Sequence, residues 1–134
     1  MSVASMYDTV RQRVQAVVNN KTTVSIGTAP DEAPYVIIWP APGTAVGEYR
    51  VDGTVGNEAT QVTFQVTTAA PSALYLLDMT RRVTAALTDL RIHNRLVQPD
   101  VVANRAALPL LDDTVRPARH YIATTWQITM KENT

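Results

Sequence analysis

Residues 61–68 alternate between apolar and polar side chains, and this alternation constrains the fold more than any other feature. Val62, Phe64 and Val66 fall on one side of an extended chain, and Gln and Thr residues fall on the other. Successive side chains of a strand point to opposite faces, so the pattern predicts a strand that is buried on one face. Such a strand belongs to a sheet with one covered face, and the rest of the chain has to provide the cover.

Two segments with helical periodicity can cover that face. Apolar residues recur at three- and four-residue steps over residues 3–19 and again from about residue 72 to residue 92. Ser72 is placed to cap the second helix. The predicted buried positions are Val3, Met6, Val10, Val14 and Val17 in the first helix, and Leu76, Met79, Val83, Ala86 or Leu87, and Leu90 in the second.

Two further segments are typical of strands. Residues 35–39 form a continuous apolar run between prolines, which predicts a strand buried on both faces or covered by a partner. Residues 118–131 predict a final strand with Ile122, Trp126, Ile128 and Met130 on one face. The order of elements predicts an α+β fold, a small mostly antiparallel sheet with two helices packed on one face. A length of 134 residues suits a single domain over residues 1–134.

Two stretches are predicted to be long loops. Residues 40–58 hold several prolines and glycines, with at most a short strand at about residues 46–51. Residues 93–117 have weak local structure in this interpretation, apart from a strand that residues 93–99 could form. Loops of more than about 12–15 residues in a compact domain are usually functional or disordered.

Composition excludes several classes of protein. The 12 Lys and Arg residues are balanced by 12 Asp and Glu residues, so the chain lacks the basic excess of a nucleic-acid binder. The absence of cysteine excludes a disulfide scaffold and a thiolate zinc site. No apolar run approaches the about 20 residues of a membrane span, so we expect no membrane partner. Charged residues make up only 18% of the chain, which indicates surface that becomes covered.

No motif indicates a reaction or a cofactor. The only histidines are His93, which follows the predicted helix end and fits a capping role, and His120, which opens the last strand. Neither has the carboxylate spacing of a metal site. Asp112 and Asp113 fit a solvated turn better than a calcium loop. We therefore expect no enzymatic activity, no cofactor and no metal, and a small α+β enzyme using His93 or His120 stays as an alternative.

Four arginines could form a basic ridge along and beyond the second helix: Arg81, Arg82, Arg91 and Arg95. A nucleic-acid site is one interpretation, but no aromatic residues interleave the ridge to stack on bases. A solvated face, or a contact between subunits, is favoured because arginine is the preferred cation of interface ion pairs.

Four strings then carry a resemblance to a known family. They are APYVIIWPAPGT at residues 33–44, GNEATQVTFQVTT at 56–68, LYLLDMTRRVTAALTDL at 74–90 and DDTVRPARHYIATTWQITM at 112–130, the last including the string R-P-x-R-H. In this layout the chain resembles the tail terminator (tail completion) proteins of long-tailed bacteriophages, especially those of actinobacterial phages. The similarity covers nearly the whole chain, except that the insert at 93–117 has no counterpart in the pattern.

The resemblance implies a structural virion protein. It would form a hexameric ring at the head-proximal end of the tail tube, stop tube polymerisation and join the tail to the head. Its partners would be further copies of itself, the tail tube protein and a head-side neck or stopper protein, and DNA would pass through the lumen without specific binding. Its location would be the head–tail junction of the virion, and the host cytoplasm during assembly. Another head–tail connector, such as a head completion or stopper protein, is the alternative in the same class.

Two groups of residues are candidates for these contacts. The resemblance implies that the loop at residues 40–56 faces the tube or the ring lumen, with candidate contacts Pro40, Pro42, Gly43, Thr44, Val46, Glu48, Arg50, Asp52 and Gly53. The candidate subunit interface consists of Arg81, Arg82, Arg95, Asp112, Asp113 and Arg116. An edge strand of each subunit could pair with its neighbour and so close the ring.

Overall fold

The computed structural model describes residues 3–49, 55–92, 95–105, 107–114 and 117–131. Its helices are α1 (Val3–Val17), α2 (Ala73–Leu87) and the short α3 (Val101–Asn104). Its strands are β1 (Thr23–Ile26), β2 (Tyr35–Trp39), β3 (Thr44–Tyr49), β4 (Val55–Ala70), β5 (Arg91–Ile92), β6 (Arg95–Leu96), β7 (Gln98–Pro99), β8 (Leu110–Asp112) and β9 (Arg119–Lys131). The fold is α+β, as the sequence predicts.

A seven-stranded sheet forms the centre of the molecule, in the order β1-β2-β4-β9-β7, with β3 beside β4 and β8 beside β9. Only β1 and β2 are parallel; the other pairs are antiparallel. Strands β2 and β3 follow each other along the same side of β4, and β9 pairs with the other side from Ala59 to Ala70. Strands β5 and β6 form a separate pair.

Helices α1 and α2 pack against each other and over one face of this sheet. The apolar side chains that the alternation predicts are buried beneath them: Val62, Phe64, Val66, Ile122, Trp126, Ile128 and Met130. The predicted stripes of α1 and α2 contribute Met6, Val10, Val14, Leu76, Met79, Val83, Ala86 and Leu87. Tyr7, which the sequence interpretation left out of the stripe, is also buried and meets Phe64 edge to face at 5.6 Å between ring centroids.

Helices α1 and α2 both end a few residues earlier in the sequence than predicted. Helix α2 stops at Leu87 because Thr88 takes an extended ψ of 123° and Asp89 a positive φ of 59°, and the Asp89 N–H donates to the Val97 carbonyl outside the helix. The prediction of a helix up to residue 92 is therefore wrong, and residues 91–92 belong to β5. The prediction that His93 caps the end of this helix is also wrong, because the helix ends six residues before His93. His93 itself lies outside the described residues. Ser72 caps the helix start, as predicted, by accepting from the Tyr75 N–H at 3.2 Å.

The two predicted long loops contain more regular structure than expected. Strand β3 overlaps the short strand predicted at about residues 46–51 and forms an antiparallel hairpin with β4, so the loop prediction is wrong for residues 55–58. Pro40, Pro42 and Gly43 lie in a short bridge at 40–43, whereas Gly56 is accommodated within the hairpin, paired with Glu48. Residues 93–117 contain β6, β7, α3 and β8, and two of these strands pair with β9. Strand β1 was not predicted at all.

The bridge at residues 40–43 ends in a glycine that no other residue can replace without strain. Gly43 has a φ of +88°, and a Cβ there would lie 2.5 Å from Thr60 Cγ2 and 3.0 Å from Val62 Cγ2. Gly27 has a similar φ of +76°, but a Cβ there would meet only Pro40 Cδ at 3.8 Å.

These two glycines give a matched pair of variants. We expect Gly43→Ala to lower the free energy of unfolding by about 2–5 kcal/mol, because it adds a steric clash to the cost of a positive φ. Gly27→Ala carries only the conformational cost and should lose about 1–2 kcal/mol. Denaturant titration of both variants measures the difference, and equal losses would contradict the described packing of the bridge.

Candidate interaction surfaces

The root of the β3–β4 hairpin is held by a buried tyrosine. The Tyr7 hydroxyl donates to the Ala41 carbonyl at 2.9 Å and accepts from the Ala41 N–H at 2.7 Å. One side chain of α1 thus satisfies both backbone groups of a bridge residue that has no strand partner. Burial raises the pKa of Tyr7 above its ordinary value of 10.0, against the opposing effect of the Ala41 backbone hydrogen bond. The phenol therefore stays neutral, and the bridge has a fixed position on the body.

The hairpin includes residues beyond the last described pair of β4 and β9. Strand β4 pairs with β9 from Ala59 onwards, and within the described residues its positions 55 and 56 pair with β3. Within the described residues, no strand pairs with the outer side of β3. The predicted loop contacts therefore divide between two elements: Pro40, Pro42 and Gly43 lie in the bridge, and Thr44, Val46 and Glu48 lie in β3. Arg50, Asp52 and Gly53 lie outside the described residues.

The predicted subunit-interface residues do not form one cluster along the fold. Arg81 and Arg82 lie on α2 and both pair with Asp78 of the same helix, at 3.3 and 3.0 Å. The hydrogen bond from Arg81 is the main reason why the pKa of the Asp78 carboxyl is lowered. The single Asp78 carboxylate is shared by both arginines and offsets one of their two charges.

The remaining predicted interface residues lie on other elements. Arg95 is in β6, Asp112 ends β8 and Asp113 follows it, while Arg116 lies outside the described residues. The sequence therefore predicted these residues as a group, whereas the structure distributes them over α2, β6 and the end of β8.

Asp112 is part of a tether that fixes β8 to the sheet. Its carboxylate accepts from the Thr114 hydroxyl at 2.5 Å and from the Thr114 N–H at 3.1 Å, and it pairs with Arg119 Nε at 3.4 Å. The Thr114 hydrogen bonds, with a smaller contribution from Arg119, lower the pKa of the Asp112 carboxyl. The Arg119 guanidinium also lies 5.5 Å from the centre of the Tyr35 ring, a cation–π distance. The solvated turn expected at Asp112 is instead an anchored strand end.

The middle of the sheet face opposite α1 and α2 is uncharged, and one end of this face carries the ion pair between Arg119 and Asp112. On β2, on residues 61–69 and on residues 121–129, the side chains of this face are Tyr35, Ile37, Trp39, Gln61, Thr63, Gln65, Thr67, Ala69, Tyr121, Ala123, Thr125, Gln127 and Thr129. Trp39 is 39% exposed here and donates from Nε1 to the Thr67 hydroxyl at 2.9 Å. The outer surfaces of α1 and α2, by contrast, carry the ion pairs Arg11–Asp8 and Arg82–Asp78. The middle of the sheet face therefore differs in chemistry from the helix side, whereas the end with Arg119 and Asp112 is charged like the helices.

Sequence reasoning missed an exposed aliphatic surface in the insert. Val101 is 58% exposed, Val102 76%, Leu108 69%, Leu110 53% and Leu111 56%. Residues 101–111 contain one charged residue, Arg105. The signal was present as a local shortage of charge, but apolar periodicity alone does not distinguish an exposed leucine from a buried one.

The described residues offer little for catalysis. The cross-strand neighbours of His120 are Ala70 and Leu111, and neither is an acid, a base or a nucleophile. No group of three His, Cys, Asp or Glu residues that could hold a metal ion occurs in the described ranges. Among these same ranges, no helix is both long enough and apolar enough to cross a membrane.

Comparison with models of protein families finds no match to this sequence, and comparison with curated proteins finds none either. The function of the protein is therefore inferred from the surfaces described above.

The tyrosine clamp can be tested against a second tyrosine of the same fold. We expect Tyr7→Phe to lower the free energy of unfolding by about 1–3 kcal/mol, because both backbone groups of Ala41 lose their partner. Tyr75→Phe is the control: its hydroxyl accepts from Asn19 Nδ2 at 2.5 Å near the surface, so the loss should stay below about 1 kcal/mol.

The clamp also predicts a pH dependence. Because the pKa of Tyr7 is raised in the folded state, its contribution is complete below pH 10.0 and is lost as the pH rises through the folded pKa. The stability difference between the wild-type protein and Tyr7→Phe should therefore shrink above pH 10.0, as measured by urea titration at several pH values. A difference that grows with pH would contradict the clamp.

Proposed function

We propose that this protein is a tail terminator of a long-tailed bacteriophage: a structural, non-enzymatic protein that forms a hexameric ring at the head-proximal end of the tail tube. The observation that carries the proposal is a sheet that, within the described residues, has an unpaired strand edge on each side, one of them formed by the β3–β4 hairpin. The ring would stop tube polymerisation and join the tail to the head through a neck or stopper protein.

The open edges favour assembly over a monomeric role. An unpaired strand edge is a template for pairing with another chain, and proteins that remain monomeric usually protect such edges. A ring of identical subunits joined head to tail needs two different complementary surfaces on each chain. The described part of the sheet offers β3 on one side and β8 on the other.

The difference between the two faces suits a cap. A terminator has to bind the last tube ring on one side and present something else on the other, or polymerisation would continue. The sheet face is uncharged from Tyr121 to Thr129 and has an ion pair, Arg119–Asp112, at one end, whereas the helix side carries ion pairs on both α1 and α2, so the two sides present different surfaces. The hairpin is the element with the reach to contact the tube or the lumen, and the Tyr7 clamp fixes its root.

The charge distribution suits DNA passage without binding. Formal net charge is zero, and Arg81 and Arg82 are both engaged by Asp78. A lumen without a strong positive field would let DNA pass through, because phosphate binding depends on clustered unpaired cations.

Tube assembly in vitro tests the proposal. Added at substoichiometric amounts to polymerising tail tube protein, this protein should stop growth and appear as a ring at tube ends in negative-stain images. Light scattering gives the mass of the free protein. A strict monomer that neither binds tubes nor limits their length would contradict the proposal, and binding only to head-side connectors would indicate a head completion or stopper protein instead.

A shortened hairpin should separate folding from capping. Replacing residues 47–58 by Asn-Gly leaves Val46 paired with Ala59 across a two-residue turn and keeps the buried core intact. We expect this variant to fold, as judged by circular dichroism, but to lose most of its effect on tube length.

The control for that variant replaces both histidines. The double variant His93→Ala/His120→Ala should keep wild-type capping, because the proposed mechanism uses neither imidazole. Loss of capping in a folded double variant would favour the enzyme alternative, and full capping by the shortened hairpin would exclude the hairpin from the tube contact.

A further inference from the structure

The segment from β7 to β8 is anchored to the sheet at both ends. At its start the Asn104 side chain donates to the Thr125 carbonyl at 3.1 Å and accepts from the Thr125 N–H at 2.7 Å, while the Asp100 N–H also donates to the Thr125 carbonyl at 2.9 Å. At its end Asp112 is tied to Arg119. The exposed aliphatic side chains between these anchors are therefore displayed on an ordered part of the surface.

Strand β8 combines those side chains with a free edge. Leu110 pairs with Tyr121 and so lies on the sheet face opposite α1 and α2, and Leu111 pairs with His120 on the other face. No strand pairs with the outer side of β8 in the part of the chain that the structure describes. A strand added there would gain backbone hydrogen bonds and would cover a leucine on each face, which is the arrangement used in β-strand addition.

The two leucines of β8 lie on opposite faces of the sheet and are each more than half exposed. A strand that pairs with β8 would lie beside both side chains and would remove apolar surface from water on each face.

The chain itself carries a matching edge. Strand β3 is unpaired on its outer side, lies on the opposite side of the same sheet and contains one charged residue, Glu48. Strand β8 ends in one charged residue, Asp112, which is already paired with Arg119. A second copy of this chain therefore offers an extended strand with little charge, and neither edge is used within the described subunit.

We propose that β8, flanked by Leu108, Leu110 and Leu111, receives β3 from the neighbouring copy, so that the sheets of successive subunits join head to tail. The inference rests on the proposed function for the number of subunits, but the pairing itself is independent of the tube. It also assigns the insert at residues 93–117 to the subunit contact.

Lysine substitutions test the apolar part of this contact. Leu110→Lys/Leu111→Lys should weaken self-association about tenfold or more in sedimentation velocity, because two charges would enter the covered surface. The matched control is Leu74→Lys/Leu77→Lys on α2, where the leucines are 80% and 53% exposed; it should associate like the wild-type protein. Weakening by the control and not by the β8 variant would overturn the proposal.

Cysteine cross-linking tests the pairing directly and does not depend on a stable free ring. The chain has no cysteine, so pairs of one cysteine at Thr44, Ala45 or Val46 and one at Leu110 or Leu111 report only the designed contact. At least one pair should give a ladder of disulfide-linked oligomers under mild oxidation at millimolar concentration, while each single variant of that pair stays largely monomeric.

The possible outcomes separate this inference from the proposed function. Dimers of the single Leu110→Cys variant would indicate β8 pairing with β8 and would overturn head-to-tail pairing, as would monomers throughout the series. A ladder from a protein that does not cap tubes would leave the contact in place and remove the terminator function. Tube capping without any ladder of disulfide-linked oligomers would leave the terminator function in place and overturn the contact between β3 and β8.

Discussion

Strand β4 is the element on which the rest of the structure depends. One side of it pairs with β9 from Ala59 to Ala70, and the other side pairs first with β3 and then with β2. A shift of one residue in this register would move Val62, Phe64 and Val66 from the covered face to the open face. The burial of these side chains under α1 and α2 therefore fixes the register, and the register places the hairpin, the insert and both open edges.

Strand β4 contributes to two different parts of the domain. Its second half belongs to the core, while its first residues belong to a hairpin outside it. The change occurs opposite the bridge at residues 40–43, where Tyr7 satisfies the backbone of Ala41 and Gly43 lets the chain pass close to Thr60 and Val62. A rigid root turns an extended hairpin into an element that can hold a defined position against a partner.

Periodicity correctly predicted the elements whose buried residues recur at the spacing of a strand or of a helix. The strand at 61–68, the strand at 35–39, the final strand and both long helices follow from patterns of two and 3.6 residues. Strand β1 was missed because four residues are too few to establish alternation. The end of α2 was overestimated because Leu90 continues the apolar spacing, whereas the extended backbone of Thr88 and the positive φ of Asp89, which end the helix, leave no signal of that kind. The hairpin was taken for a loop because Gly and Pro mark both. The exposure of the leucines in the insert depends on which edge of β9 is covered, and sequence alone does not contain that information.

The central claim is that this protein binds the end of a tube and nowhere else along it. Gold labelling of the bound protein on tubes assembled from tail tube protein, imaged by negative stain, measures this most directly. The account predicts label at one end of each tube and a length distribution that stops growing once that end is occupied. Label distributed along the tube wall, or tubes that elongate past the labelled end, would contradict it.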